Sequence, residues 1–599
     1  MKKSILSASI AAMIGGLGLA GMANAAVGLN VFNDSPAPSV AIGAAVLITD
    51  TNQAGAAAAA VAANVANGTA ATTLAVNEAG TGHILVVPYF TTQGTNATLL
   101  NIVNTDTANG KAVKVRFRGA SNSDDIFDFT LLLSPGDVWA AKVSQGADGI
   151  SKLETGDKTC TLPSAVATQA NSFPTGRLNS ALSAADKANE TREGYIEILN
   201  MADVPKAVQT NQSVAAGVTV NPLFTAIKHV SGVAPCTTAA LGVLLTPAQD
   251  YTHTAVDTGA VSVQGKGMKF PTGQLMANWT IIDTVKTATF SGAAIALKAG
   301  TDAAPNANVV FFPQSDTSAT TTVATVVPVI DNFTADPLLR TGAIWKGVAA
   351  TGALTAFGPA AGSTSAIISA SYYDLPDLST PYLAVAAPAS GLLGAPVLQA
   401  RTLSGSLATK TVVNEYLTTT SIAATTDWVF SMPTRRYNVG MNYAYTSPID
   451  GDGRVYTDFA VAVGAAMSAN MTGAADANNF FNAANTSVSG YKICTGAAGV
   501  NQWDREETTT SSQFVISPGT VTNVRFCGET SVLAFNNGTN TSTGSLSASV
   551  AMQNLNVSAN EGWVKLGTAG LGAKGLPVTG AAFAKSSSFG AVWAHRYAR

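Results

Sequence analysis

The stretch KAVKVRFRGASNSDDIFDFTLLLSPGDVWAAKV, residues 111–143, decides the fold class. Its first nine residues alternate strictly. Val113, Val115 and Phe117 take one parity; Lys114, Arg116 and Arg118 take the other. A period of two is the period of a strand, so this pattern predicts one face in a core and one face in water. IFDFTLLL (126–133) alternates again, with Phe127, Phe129, Leu131 and Leu133 inward. Asn109-Gly110 before the first strand is a tight-turn signal. Ser134-Pro135-Gly136-Asp137 after the second leads into a third strand, DVWAAKV (137–143).

Outward from this core the same grammar repeats. GHILVVPYF (82–90) and ATLLNIVN (97–104) precede it; GYIEILNM (194–201), NWTIIDTV (278–285) and NVVFFPQ (308–314) follow. DWVFSMP (427–433), SVLAFNN (531–537), GWVKLG (562–567) and a closing strand at 588–593 carry the pattern to the end. QFVIS (513–517), Ser517-Pro518-Gly519-Thr520 and TVTNVRF (520–526) repeat the strand–SPG–strand construction. Short strands between Gly, Asn, Ser and Thr loops predict a mainly β protein, not βαβ units. The expected architecture is two or more Ig-like β-sandwich-type domains with loop-rich, Ala/Thr/Asn-rich insertions, the clearest at 151–192 and 463–485. The expected segments are a low-complexity leader at 26–75, a first sandwich at 76–305 and a second β-rich unit at 306–599.

Residues 1–25 have the form of a secretory signal peptide. Lys2 and Lys3 precede an apolar run at 5–20, and Ala23-Asn24-Ala25 fits the small-x-small cleavage rule, so the mature chain is expected to begin at Ala26. Export predicts an oxidising compartment, no ATP or NAD cofactor, and disulfides. The four cysteines are Cys160, Cys236, Cys494 and Cys527. Of three possible pairings, nearest neighbours, Cys160–Cys236 and Cys494–Cys527, are favoured, and the absence of C-x-x-C spacing disfavours zinc. No span after Ala25 reaches the ~18 uninterrupted apolar residues of a membrane helix.

Only 12% of residues are charged, net charge is −3 and the pI is about 5.9. Ordinary domains carry about 25% charge. The balance argues against a nucleic-acid partner. Low charge removes the repulsion that keeps molecules apart, which fits self-association; composition drift in secreted β proteins is the other reading.

Catalytic motifs are missing from the sequence. His83, His229, His253 and His595 are isolated, no H-E-x-x-H or G-x-S-x-G occurs, and Asp124-Asp125 and Glu506-Glu507 are adjacent pairs that a strand would point to opposite faces. No enzyme activity is expected. Asp450-Gly451-Asp452-Gly453, with Asp458 beyond, resembles part of a calcium loop but lacks the later ligands of an EF-hand. No cofactor is expected beyond a possible calcium ion there; an acidic surface turn is the alternative. The Lys114, Arg116, Arg118 stripe reads either as a contact for an anionic cell-surface glycan or as cross-strand pairing with Asp128 and its neighbours. Arg435-Arg436 carries the same ambiguity. Leu576-Pro577-Val578-Thr579-Gly580 matches the sortase motif, but the tail after it is broken by Lys585, serines and His595, so the match reads as coincidence.

The segments at 82–106, 111–129, 134–141 and 192–204, with TDWVFSMPTRRY (426–437), WDREE (503–507) and GLPVTGAAF (575–583), resemble cell-surface, surface-layer-type proteins of Gram-negative proteobacteria. The resemblance implies a secreted, largely β structural subunit of a self-assembling coat outside the outer membrane, whose main partner is its own copies. A secreted adhesin or glycan-binding sandwich protein is the alternative, and an extracellular hydrolase with an unrecognised site the third.

Overall fold

The computed structural model describes residues 74–244, 264–300, 402–441, 480–510, 524–536, 544–568 and 575–598, with short interruptions, together with Ala307 and Arg454–Tyr456. Within them the chain is mainly β, built of antiparallel sheets with one parallel pair, Thr530–Asn536 against Met552–Asn556.

The first half makes two large sheets. A seven-stranded sheet runs, in spatial order, Leu74–Val76, Ile295–Ala299, Ile84–Thr91, Glu193–Val204, Gly110–Gly119, Asp125–Leu133 and Cys160–Leu162. A six-stranded sheet runs Thr289–Ala293, Leu275–Asp283, Asn96–Asn104, Val138–Gln145, Ser151–Glu154 and Asn171–Ser172. The alternation at 111–133 aims Val113, Val115, Phe117, Phe127, Phe129 and Leu131 into the space between the sheets. Leu100, Ile102, Trp139, Val143, Trp279 and Ile281 meet them there from the other side. This is sandwich packing, with inner faces interdigitating.

The turn signals work differently from a hairpin reading. Gly110–Gly119 pairs with Asp125–Leu133 and Glu193–Val204, never with Asn96–Asn104. Asn109-Gly110 therefore carries the chain between sheets, with the Asp106 carboxylate accepting from the amides of Ala108 and Asn109. Ser134-Pro135-Gly136-Asp137 likewise switches sheets: Gly136 sits at φ +70°, and Asp137 Oδ2 accepts from the Ser134 amide at 3.0 Å. The second SPG turn, the strands at 308–314 and 513–517 and most of the 463–485 insertion lie outside the described residues. The insertion at 151–192 holds short strands and the helices Ala165–Thr168 and Ala184–Glu190.

The outer face of the seven-stranded sheet is not wet. Every residue of Gly110–Gly119 is buried. One end of that face is capped by the helices Pro222–Ile227 and Thr238–Leu241, whose Leu223, Phe224, Ile227 and Leu241 pack on Leu132, Leu199 and Met201. Cys160–Cys236 ties this cap to the sheet's edge strand. The other end is covered by the second half of the chain.

That half builds two five-stranded sheets and smaller ones. One sheet runs Thr509–Thr510, Gly499–Trp503, Glu561–Gly567, Thr411–Leu417, Arg596–Ala598; the other runs Met552–Asn556, Thr530–Asn536, Ala424–Ser431, Thr579–Ser586, Phe589–Ala594. Between them Tyr416, Trp428, Phe430, Phe535, Val564 and Leu566 form a second core. Cys494–Cys527 joins directly opposed residues of Lys492–Gly496 and Arg525–Cys527. Leu576 to Thr579 of the sortase-like match are buried where the strands Leu576–Pro577 and Thr579–Ser586 meet, a structural role.

The halves do not merely touch. Val429, Val532, Leu546, Ala548 and Phe583 of the second belong to the core of the first sandwich, and Phe583 packs against Tyr89, Trp279 and Phe290. Ser431 Oγ donates to the Pro88 carbonyl, and Lys585 Nζ meets Asp283 at 2.9 Å.

Candidate functional site

The basic stripe is the most chemically unusual feature of the chain, and its place is internal. On the outer face of the seven-stranded sheet the register sets Glu197, Arg116 and Asp128 side by side on three neighbouring strands. One rung along, Lys114 Nζ reaches Asp128 at 3.4 Å; on the other side Arg118 Nε reaches Glu197 at 3.3 Å. Lys114, Arg116 and Arg118 are all buried. Cross-strand pairing is thus the reading the geometry supports, and the contact with an anionic glycan through these three residues is corrected: no glycan reaches side chains sealed beneath the second half.

The seal is Arg435-Arg436. The short 3-10 turn Arg435–Tyr437 follows the strand Ala424–Ser431 and drops both guanidinium groups onto the stripe. Arg436 binds both oxygens of Glu197, at 2.9 and 3.1 Å, and donates to the Tyr195 hydroxyl at 3.1 Å. Arg435 meets Glu529 at 3.1 Å and donates to the Ile493 carbonyl at 2.7 Å. Ser123 Oγ and Tyr195 Oη lie 2.7 Å apart, closing the network. Burial pushes the Glu529 carboxyl up against the pull of Arg435 and Arg436, and the Lys114 ammonium down against the pull of Asp128.

Two further carboxylates clamp the junction. Glu193, on the first half's longest strand, accepts from the amides of Ser549 and Val550 at 2.6 and 3.0 Å through one oxygen and of Ala551 at 3.2 Å through the other. Asp427 accepts from the Leu546 amide at 2.8 Å. The segment 544–551 is strapped between one carboxylate from each half. Burial raises both; Asp427 reaches about 7. Sequence reasoning missed Glu193, Glu197, Asp427 and Glu529, because each is a lone acid within an apolar strand or turn whose partners lie 79 or more residues away.

The histidines are structural where described. His83 Nε2 donates to the Pro271 carbonyl while Nδ1 accepts from the Ala299 amide, and His595 divides its nitrogens between Val429 O and Asn414. Burial lowers both to about 3, so both rings are neutral. Half-exposed His229 meets Ser134 Oγ at 3.3 Å and Asp137 Oδ2 at 3.4 Å, but both approach the same Nδ1. A catalytic triad needs its serine and its carboxylate on opposite nitrogens; this trio lacks that arrangement and ties the turn together.

Asp450, Asp452 and Asp458 lie outside the described residues. Among the described residues no group of three or more His, Cys, Asp or Glu side chains is placed to hold a metal ion, and no helix is long and apolar enough to cross a membrane. One other feature stands apart. Trp503 and Trp563, directly opposed on neighbouring strands, stack on the sheet's outer face with ring centroids 3.8 Å apart and planes 7° apart.

Comparison with protein-family models, with curated proteins and with solved structures finds no match for this chain.

Proposed function

We propose that this chain is a secreted structural subunit of a self-assembling, surface-layer-like coat, with its own copies as its main partner. The observation that carries the reading is where six of the nine exposed large apolar side chains among the described residues sit. Val285, Ile422 and Phe589 gather at the Asn96 end of the strand Asn96–Asn104. Asp283, opposite Asn96, binds Lys585 and the Val285 amide, and Ser586 both donates to the Ile422 carbonyl and opposes Phe589. Val138, Val230 and Val233 gather at the Asn104 end: Val138 opposes Val103, and Asp137 holds His229 beside the Val230–Val233 bridge. Nine strand residues separate the two patches, about 30 Å. Unlike patches at opposite ends are what a head-to-tail contact requires, and such contacts propagate where isologous ones stop at a dimer.

Charge placement supports the same reading. Among the described residues seven Lys and Arg and eleven Asp and Glu are buried, so an already charge-poor chain keeps still less charge outside there. The clamped junction suits a rigid building block. The test is sedimentation velocity and electron microscopy of the purified mature protein across concentration, with and without calcium. Growth into regular arrays is expected; a species monomeric at all concentrations overturns the reading. The second reading, a glycan-binding adhesin, is favoured by the exposed tryptophan pair.

A further inference from the structure

A stacked tryptophan pair on a wet sheet face is a costly ornament unless something uses it. Aromatic pairs prefer offset or edge-to-face packing, yet Trp503 and Trp563 have the shortest centroid spacing of any described ring pair. The backbone is arranged to allow it. A Cβ on Gly562 would fall 2.0 Å from the Trp503 carbonyl, so only glycine lets the strand ends approach this closely. Two other described indoles donate inward, Trp428 to the Glu415 carbonyl and Trp279 to the Ala293 carbonyl, and Trp139 is wholly buried. Among the described residues neither Trp503 nor Trp563 has an acceptor, and Trp563 is 37% exposed.

The surroundings specify what the pair would take. Trp503 stacks from one neighbouring strand, which leaves the far face of Trp563 turned towards the other, Thr411–Leu417, where exposed Glu415 lies directly opposite it. Lys565 stands one rung along, and the Arg505–Glu561 ion pair (2.7 Å) closes the other side. The result is an apolar wall standing beside a floor that carries hydrogen-bonding groups of both signs.

We propose that Trp563, backed by Trp503, is a carbohydrate-stacking site for a neutral glycan. A pyranose ring would lay its C–H face on the indole and direct its hydroxyls to Glu415 and Lys565. The two cations are offset by the two carboxylates, Arg505 being paired with Glu561, so the floor offers an anionic chain no net attraction, and an apolar protein surface would have to desolvate all four charged groups without replacing their hydrogen bonds. The site goes beyond the coat reading and does not rest on it, since a monomer would display it equally.

The test uses the full mature protein, with indole fluorescence and calorimetry as readouts. The probes are soluble β-glucan, mannan and chitohexaose as neutral ligands and heparin as the anionic one. Saturable binding of at least one neutral probe is expected. Trp563→Ala should weaken it by about tenfold or more, the loss of one aromatic stacking contact. Trp563→Tyr, which keeps an aromatic face and guards against misfolding as the explanation, should stay within about threefold. Glu415→Gln should weaken binding without altering the fluorescence of the free protein. No saturable neutral binding, unchanged affinity in Trp563→Ala, or binding confined to heparin and abolished by salt overturns the proposal. Loss of self-association in Trp563→Ala without any glycan binding also overturns it, because the occupant is then a second copy. A monomeric protein that still binds the neutral probe overturns the coat reading and leaves this one standing.

Discussion

Arg436 shows how much of this molecule depends on individual buried charges. Its guanidinium is the partner that the second half brings to Glu197; removing one member of an isolated buried pair costs about 3–5 kcal/mol, but Glu197 keeps Arg118 at 3.3 Å, so the loss here is smaller. Arg436→Met should therefore lower stability by about 1–3 kcal/mol in urea unfolding, and adding Glu197→Gln should deepen the loss, since it takes the partner from buried Arg118. The titrating groups give opposite pH signatures. For His83 and His595 the folded pKa, about 3, lies below the ordinary 6.5, so their contribution is complete above pH 6.5 and is lost as pH falls towards 3. On unfolding near pH 5 these two rings should together take up about two protons from solvent. Asp427 runs the other way. Its folded pKa, about 7, lies above the ordinary 3.8, so its contribution is complete below pH 3.8 and is lost as pH rises through 7. Asp427→Asn keeps an acceptor for the Leu546 amide and cannot ionise. Its melting temperature relative to wild type should rise steadily from pH 4 to pH 8, by an amount equivalent to at most about 4 kcal/mol; a gap independent of pH would contradict the neutral carboxyl.

At the scale of elements, close backbone approach decides where glycine is needed. Gly580 is the second residue of Thr579–Ser586, which runs against Ala424–Ser431, and a Cβ there would sit 1.8 Å from the Val429 carbonyl. Gly580→Ala should cost more than about 3 kcal/mol or prevent folding, since the obstacle is a strand backbone that cannot yield. Thr579→Ser, one residue away, should be nearly silent; equal effects would mean the motif matters as a motif. Most strands of seven or more residues were legible at this scale, and the observed Gly110–Gly119, Asp125–Leu133, Glu193–Val204 and Thr530–Asn536 match the alternating or β-branched runs within a few residues, whereas Thr411–Leu417, Thr579–Ser586 and most of the shorter strands were not. Their partners were not. Asn109-Gly110 has the chemistry of a hairpin turn but spans two sheets, because turn chemistry fixes the local bend and not which strand the chain meets next. The pairing of Cys160 with Cys236 and Cys494 with Cys527 follows the nearest-neighbour expectation.

At the scale of the whole molecule the two halves form one cooperative body. They share an apolar core, an ion network and a carboxylate-clamped strap, so wild type should unfold in a single calorimetric transition with its disulfides intact; two well-separated transitions would show the junction to be weak. Assembly has its own signature. Phe589→Lys and Val230→Lys should each stop growth without unfolding the chain, because each places an unpaired charge in one patch of the head-to-tail contact. Mixed in equal amounts they should form heterodimers and nothing larger, since only one intact pair of complementary patches remains. Two variants that stay monomeric when mixed would locate the contact elsewhere.

The sequence by itself determined what depends on neighbours along the chain: strand-forming periodicity, a mainly β class, a charge-poor composition and an even set of cysteines. Only the tertiary structure decided the fate of Lys114, Arg116 and Arg118. Alternation states that two faces differ, but water covers a polar face only if nothing else does, and here Arg435, Arg436 and Glu529, contributed from more than 300 residues downstream, cover it instead. The same holds for the paired indoles of Trp503 and Trp563, separated by 60 positions in the chain and brought to 3.8 Å by strand register. Periodicity is a local property of the backbone, whereas burial and partnership are properties of which surfaces meet, and that is fixed only when the whole chain packs.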